Sequence, residues 1–229
     1  MSTIDHRSRK TQSRGEASRK RLVDEATRLF GLYGYSSVTM REIGAAAGLD
    51  NSTIYRHFKN KQDLAAEVVR RVLLELVPIA SRLTDGGEPG LDTLVDVAVE
   101  FSDYLWNHPD ESRLLLSWMS TTGEERSGFS YSVRLSDEPE HMAAITIRAV
   151  EKWLAAAQSN GSIRKVDPID AIVNILALTI VRPATSKYFL NSVDPNRSAS
   201  DRQQAAKREL RATIRGAFAP TPRQKDGDN

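Results

Sequence analysis

Hydrophobic positions recur along this chain with the period of an α-helix, and no segment alternates as a half-buried strand would. Leu22, Val23, Ala26, Leu29, Phe30 and Tyr33 form one apolar face, opened by a capping pair, Ser13 and Glu16, and closed by Gly34. Thr39 and Glu42 start a short helix with a stripe of Ile43, Ala46 and Ala47, and Gly48 stops it. Asp50 caps a third helix through Phe58. Asn60 and Asp63 open a long fourth, about 61–83, through Leu64, Val68, Val69, Val72, Leu73 and Leu76, with Pro78 expected to kink it. After the turn cluster 85–90 the pattern predicts helices over roughly 91–107, 109–120, 138–160, 168–181 and 199–218, with a polar loop over 121–137.

The predicted class is therefore all-α. A basic, aperiodic arm (1–12) precedes a three-helix domain (13–63). A larger helical domain (64–218) follows through the fourth helix, then a frayed tail (219–229). Two short helices joined by a tight glycine turn make a helix-turn-helix, in which the second packs on the third through small residues, Ala45, Ala46 and Ala47. That leaves the outer face of the third helix free to enter a major groove.

Charge fits this reading. From Met1 to Asp63 there are twelve Lys/Arg against seven Asp/Glu, whereas the remainder has 20 against 23. A basic front on a slightly acidic body is what a nucleic-acid contact at one end needs. Arg7, Arg9, Lys10 and Arg14 would let the arm enter a minor groove, or simply be solvated. On the third helix, Asn51, Ser52 and Thr53 offer short polar groups, and Tyr55, Arg56 and His57 can donate to phosphate. Lys61, in the first turn of the fourth helix, is unfavourably placed against the helix dipole unless an anion is near.

The segment Ser18 to Val69 resembles the DNA-binding domain of the TetR family of bacterial repressors. The residues that carry the resemblance are Ala26, Leu29, Phe30, Gly34, Tyr35, Thr39, Ile43, Ala47, Gly48, Tyr55, His57, Phe58, Lys61 and Leu64, most specifically the string IYRHFKNKQDL. The resemblance implies phosphate contacts from Thr39, Tyr55, His57 and Lys61, and Asn51, Ser52, Thr53 and Arg56 in the groove. Asp50 departs from the hydroxyl residue common in the family there, which leaves the operator sequence open.

The same resemblance implies a repressor released from a palindromic operator by a small-molecule effector, with a helical second domain that dimerises and encloses the ligand. The segment 171–181 is apolar on more than one face, and Ala206, Leu210, Ile214 and Ala217 form a stripe on a charged last helix. Both suit a homodimer interface, to which Ile172, Ile175, Ala206, Leu210 and Ile214 are assigned, with intramolecular packing as the alternative. Trp106, Trp118 and Trp153 are candidate ligand-pocket residues, although aromatic stripes also serve as plain core.

Other classes find less in the sequence. Cysteine is absent, which removes thiolate chemistry. Glu138 and His141 have the spacing of a di-iron motif, but only one copy exists, and His6, His57, His108 and His141 lack zinc-ligand spacing. No cofactor, metal or enzyme activity is expected. A regulator answering to a protein partner, or to no effector, remains the alternative. The apolar run 171–181 is too short to span a bilayer, and a cytoplasmic protein is expected.

Overall fold

A computed structural model describes residues 3–85, 88–120, 137–185 and 191–220, with side chains from 14 onward except 118–120, 137–143 and 191. All regular elements among the described residues are helical. They are α1 (Thr3–Tyr33), α2 (Met40–Ala46), α3 (Asn51–His57), α4 (Lys61–Ser81), α5 (Leu91–Asn107), α6 (Pro109–Ser120), α7 (Asp137–Ser159), α8 (Pro168–Thr185), the single turn α9 (Asn191–Val193) and α10 (Ala199–Phe218). Packing divides the chain into two units. The first is Met1–Leu74 with Asp110–His141, and the second is Glu75–Pro109 with Met142–Asn229. The cut falls inside α4, and α6 packs with the first unit rather than with the larger helical domain expected from sequence.

The expected irregular arm is instead helix from Thr3 onward. Once burial of Leu22, Val23, Ala26 and Phe30 fixes the later turns, each preceding residue adds a hydrogen bond at little nucleation cost, and no proline interrupts the run. Helix α4 continues through Pro78, and bonds from the amides of Arg82, Leu83 and Thr84 to carbonyls three residues back close it. The expected loop over 121–136 and the tail over 221–229 lie outside the described residues.

Within the first unit, α2 meets α3 at Gly44. A Cβ there would sit 1.9 Å from Ile54 Cδ1, and Ile54 is fully buried. The small residue that lets the helices approach is thus Gly44, with Ile43 and Ala47 beside it; Ala45 and Ala46 are exposed. The sequence reading took the alanine run for the contact because alanine and glycine are equally admissible by size. Gly48, at φ 66, makes the turn between the helices. Glycine also sets α1 against α6, where a Cβ on Gly31 would lie 2.9 Å from the Asp110 carbonyl oxygen.

The second unit is built on α5, whose buried face of Leu94, Val95, Ala98 and Leu105 packs against α8 and α10. The α10 residues Ala206, Leu210 and Ile214, assigned from sequence to a dimer interface, are buried inside this unit together with Phe218. Charge fixes that orientation. Asp92 pairs with Arg215 (2.5 Å), Asp96 with Arg211 (2.8 Å) and Asp103 with Lys207 (2.7 Å), an antiparallel ladder along α5 and α10. Each exposed rung contributes little, but together they set the register that turns the apolar stripe inward.

Substituting Gly44→Ala is expected to destabilise the first unit by about 1–3 kcal/mol through overpacking against Ile54, read as an earlier urea midpoint.

Candidate nucleic-acid interface

The presentation of α3 follows from its two buried anchors. Ile54 and Phe58 lie four residues apart and point into the unit, so Asn51, Ser52, Tyr55 and Arg56 are left exposed on the opposite side. Asp50, in an extended conformation, caps the helix by accepting from the Thr53 amide at 2.7 Å. Thr53 itself is half-buried.

The preceding elements are fixed by a reciprocal cap. The Thr39 hydroxyl accepts from the Glu42 amide (3.2 Å), while Glu42 Oε2 accepts from both the Thr39 amide and hydroxyl (2.7 Å each). These bonds, the side-chain one first, hold the Glu42 carboxyl below its ordinary pKa. Lys61 reaches the same corner. Its Nζ lies 4.2 Å from the centre of the Tyr35 ring and 3.4 Å from the Ser36 carbonyl oxygen. A π face and a carbonyl thus take up part of the cation's need for negative charge, and burial lowers its pKa against the pull of Glu42.

His57 is placed differently from its neighbours. Its Nε2 is sealed from solvent without a hydrogen-bond partner among the described residues, and the backbone of α1 at Gly15 lies alongside the ring. Burial, then the Arg56 and Arg19 cations, push its pKa down, so it is neutral near pH 7. The sequence reading grouped His57 with Tyr55 and Lys61 as phosphate donors; the structure brings Asn51, Ser52, Tyr55 and Arg56 onto one exposed side and turns Nε2 of His57 away from solvent.

Three features were missed from sequence. Arg41 on α2 and Lys59 after α3 are exposed and form no ion pair with another described residue. Their position beside the two helices was the available signal. The third is the carboxylate of Glu67 on α4, which receives Arg19 of α1 at 2.7 Å and Arg70 at 2.8 Å, while the Arg19 guanidinium lies 5.0 Å from the Phe58 ring centre. Burial would raise the Glu67 pKa, but hydrogen bonds from Arg70 and Arg19 and their charges override it and lower it to about 2. Arg71 adds a second tie, to Asp24 and to Thr27 of α1 (3.3 Å), and approaches Glu111 of α6 at 4.0 Å. Side-chain charges far apart in sequence reveal no such pairing without the fold.

Of the ligand candidates, Trp153 in the second unit is 6% exposed, and its indole N–H is buried without an acceptor among the described residues. Trp106 is half-buried, and the side chain of Trp118 lies outside the described residues. A surface depression of about 600 Å³ is lined by Ala155, Gln158, Ser159, Lys165, Val166, Asp167 and Pro168, none of them a tryptophan. Ile172 and Ile175 of α8 are half-buried. The fully outward stripe beside them is Ile169, Val173, Ala177 and Val181, with Ile169 49%, Val173 52% and Val181 43% exposed.

This geometry, a recognition-type helix held by α2 and presented with its polar side outward, defines a helix-turn-helix protein. Residues 22–68 match the family described as bacterial regulatory proteins, tetR family. The chain is 43% identical over 60 residues to the HTH-type transcriptional regulator AcrR of Shigella flexneri, covering 26% of this chain and 28% of that one. Across the first curated relatives, the matched share of their own length runs from 28% to 54%. The structure of the ketosteroid transcriptional regulator KstR2 of Mycobacterium tuberculosis superposes with a TM-score of 0.65 at 19% identity, covering 89% of this chain and 95% of that one. A SmeT–triclosan complex does so at 0.60 and 20% identity, covering 93% and 96%. At these identities the structural likeness shows a shared fold over both units.

The depressed Glu67 pKa has a measurable consequence. Its ionised form stabilises the first unit above about pH 4.5, the ordinary glutamate value, and that contribution is lost as pH falls toward about 2. Glu67→Gln should therefore melt earlier than the native chain at pH 7, with the difference shrinking as acid melts are taken from pH 5 toward 2.

Proposed function

We propose that the chain is a DNA-binding transcriptional regulator, a repressor that sits as a homodimer on a palindromic operator and is released by a small-molecule effector. The exposed side of α3 is the observation that carries the reading. Asn51, Ser52, Tyr55 and Arg56 share it, and Arg41 and Lys59, without ion-pair partners among the described residues, flank it in sequence. By contrast Arg19, Lys20, Arg28, Arg70 and Arg71 of the same unit are paired with carboxylates. Cations left over after internal pairing are the ones available to phosphates. Thr39, Thr53, His57 and Lys61 complete the interface at its edges, acting through caps and packing as well as through phosphate contact.

Homodimerisation is supported by α8 rather than by the buried stripe of α10. Ile169, Val173, Ala177 and Val181 are spaced four apart and outward-facing, and a second copy related by a two-fold axis would cover them. Helix α8 is also the one described helix long and apolar enough, by length and composition, to cross a membrane. Its opposite face, with Ala171, Thr179, Ile180 and Ala184, is buried in the protein, which favours a protein partner over lipid and a place in the cytoplasm with the DNA. Two half-sites read together also supply affinity that one seven-residue helix lacks.

For the effector, Trp153 supports a site in the second unit. A buried N–H without an acceptor costs about 1–3 kcal/mol, and a ligand carrying an acceptor atom would satisfy it. A protein of like fold is known with triclosan bound.

Binding to the promoter DNA of the neighbouring genes should be specific and weaken with salt, with a log–log slope of about 0.9 per phosphate contact. Lys59→Ala should lower that slope by about one contact on operator and scrambled DNA alike, and Arg56→Ala should weaken the operator more than the scrambled duplex. Equal, salt-insensitive binding to both DNAs would overturn the reading.

The two apolar faces separate by mutation. Val173→Glu should convert dimer to monomer in sedimentation while keeping helical circular dichroism. Leu210→Ala should instead cost about 2–5 kcal/mol of unfolding free energy, because that side chain is buried within its own unit.

A further inference from the structure

We propose that the leading turns of α1, Thr3 to Arg14, form a basic helix that lies along the phosphates of the duplex beside the α3 site. The inference rests on the DNA-binding reading above and extends the contact surface to a segment outside the helix-turn-helix.

Because α1 is helical from Thr3, its early charges have a fixed register. At about 100° per residue, Arg7, Lys10, Arg14 and Arg21 fall within about 60° of one another. Asp5 and Glu16 fall on roughly the opposite side, so the cations are sorted onto one strip instead of being neutralised along the helix. Arg14 and Arg21 are exposed and have no ion-pair partner among the described residues. The next acid along the strip, Glu25, is taken up by Arg28 at 2.7 Å.

Packing fixes where the strip runs. A Cβ on Gly15 would lie 3.9 Å from His57 Cε1, and the Arg19 guanidinium lies 5.0 Å from the Phe58 ring centre while it pairs with Glu67. Helix α1 therefore crosses the C-terminal end of α3 at residues 15–19. The turns before Gly15 continue past that crossing for roughly 18 Å, at about 1.5 Å per residue. A duplex carries one charge per about 1.7 Å of its axis, so a helix of that length can run past about ten phosphates.

Composition leaves one kind of partner. Residues 3–14 contain a single aliphatic side chain, Ile4, so they offer no apolar stripe for a lipid surface or a protein groove to cover. A helix that can be recognised by charge alone suits a polyanion, and the neighbouring α3 already brings DNA to this end of the unit. The helical state also decides how the duplex is met. An extended arm can enter a minor groove about 6 Å wide, whereas a helix about 10–12 Å across cannot. The strip therefore meets backbone phosphates and not base edges, and it adds affinity without sequence preference.

The test measures binding of the full chain to operator and scrambled duplexes over a range of salt. Arg7→Gln with Lys10→Gln removes two cations from the strip, and Arg9→Gln removes one from another side of the helix. Thr11→Pro keeps every charge but breaks the helix. The double variant should lower the log–log slope by about 1.8 on both duplexes, two contacts at about 0.9 each. Arg9→Gln should keep the native slope, and Thr11→Pro should lose as much as the double variant. Thermal melts check that the packed core is intact in all three. If every variant keeps the native slope, these turns do not touch DNA and the inference is wrong. It is equally wrong if Arg9→Gln costs as much per charge as the double variant, or if Thr11→Pro binds as the native chain does, because the contact then needs charge but no helix. If the native chain binds neither duplex in a salt-dependent way, the DNA-binding reading itself falls, and this inference with it.

Discussion

The contact between Gly44 and Ile54 is the constraint on which the DNA-facing surface depends. A seven-residue helix has no stability of its own, so the direction α3 faces is set by what holds it. Ile54 enters the space that Gly44 leaves by lacking a Cβ, and Phe58, one turn on, is buried as well. With those two positions fixed inward, the helical period puts Asn51, Ser52, Tyr55 and Arg56 outward without any further device. The Gly48 turn and the Thr39–Glu42 cap then limit how α2 can tilt, because each end of that short helix is tied by its own hydrogen bonds.

Electrostatics supports this arrangement by dividing the cations into two groups. Glu67 gathers Arg19 and Arg70, and Asp24 gathers Lys20 and Arg71, so α1 and α4 are joined by charges that are spent inside the unit. Arg41, Arg56 and Lys59 are exposed and have no ion-pair partner among the described residues. The net positive charge of the N-terminal sequence is thus a poor measure of the charge it can offer to a nucleic acid, since Arg19, Lys20, Arg28, Arg70 and Arg71 are paired with carboxylates. What matters is which cations lack an internal acid, and that depends on three-dimensional proximity.

How much could be read in advance divides along the same line. Periodicity and caps are local, and the bounds 91–107, 109–120 and 199–218 coincide with α5, α6 and α10. Positions 51, 52, 55 and 56 were legible as an exposed polar set because Ile54 and Phe58 marked the buried side. The α10 reading differed because a stripe of apolar residues states that a face is covered without stating by what. Ala206, Leu210 and Ile214 are covered by α5, and the acidic residues that decide this, Asp92, Asp96 and Asp103, lie over a hundred positions earlier. The start of α1 differed because a capping pair signals that a helix can begin at Ser13, not that it must; nothing in residues 3–12 forbids continuation.

On the proposed function, control of DNA binding would have to pass through elements of the first unit or through an element that both units share. Helix α4 lies in both, and α6 belongs to the first unit, where Gly31 lets its backbone approach α1 and Glu111 lies near Arg71. Close backbone packing transmits displacement better than a flexible side-chain contact, because it has no slack to absorb a shift. An effector acts on such a device only through its differential affinity for two arrangements, and moving the population from 1:99 to 99:1 takes roughly a 10⁴-fold difference. An effector bound at Trp153, as proposed, would gain a fraction of that from one hydrogen bond to the indole. For such an effector the remainder would have to come from apolar burial that exists in one arrangement and not in the other, with the polar anchor left to orient it.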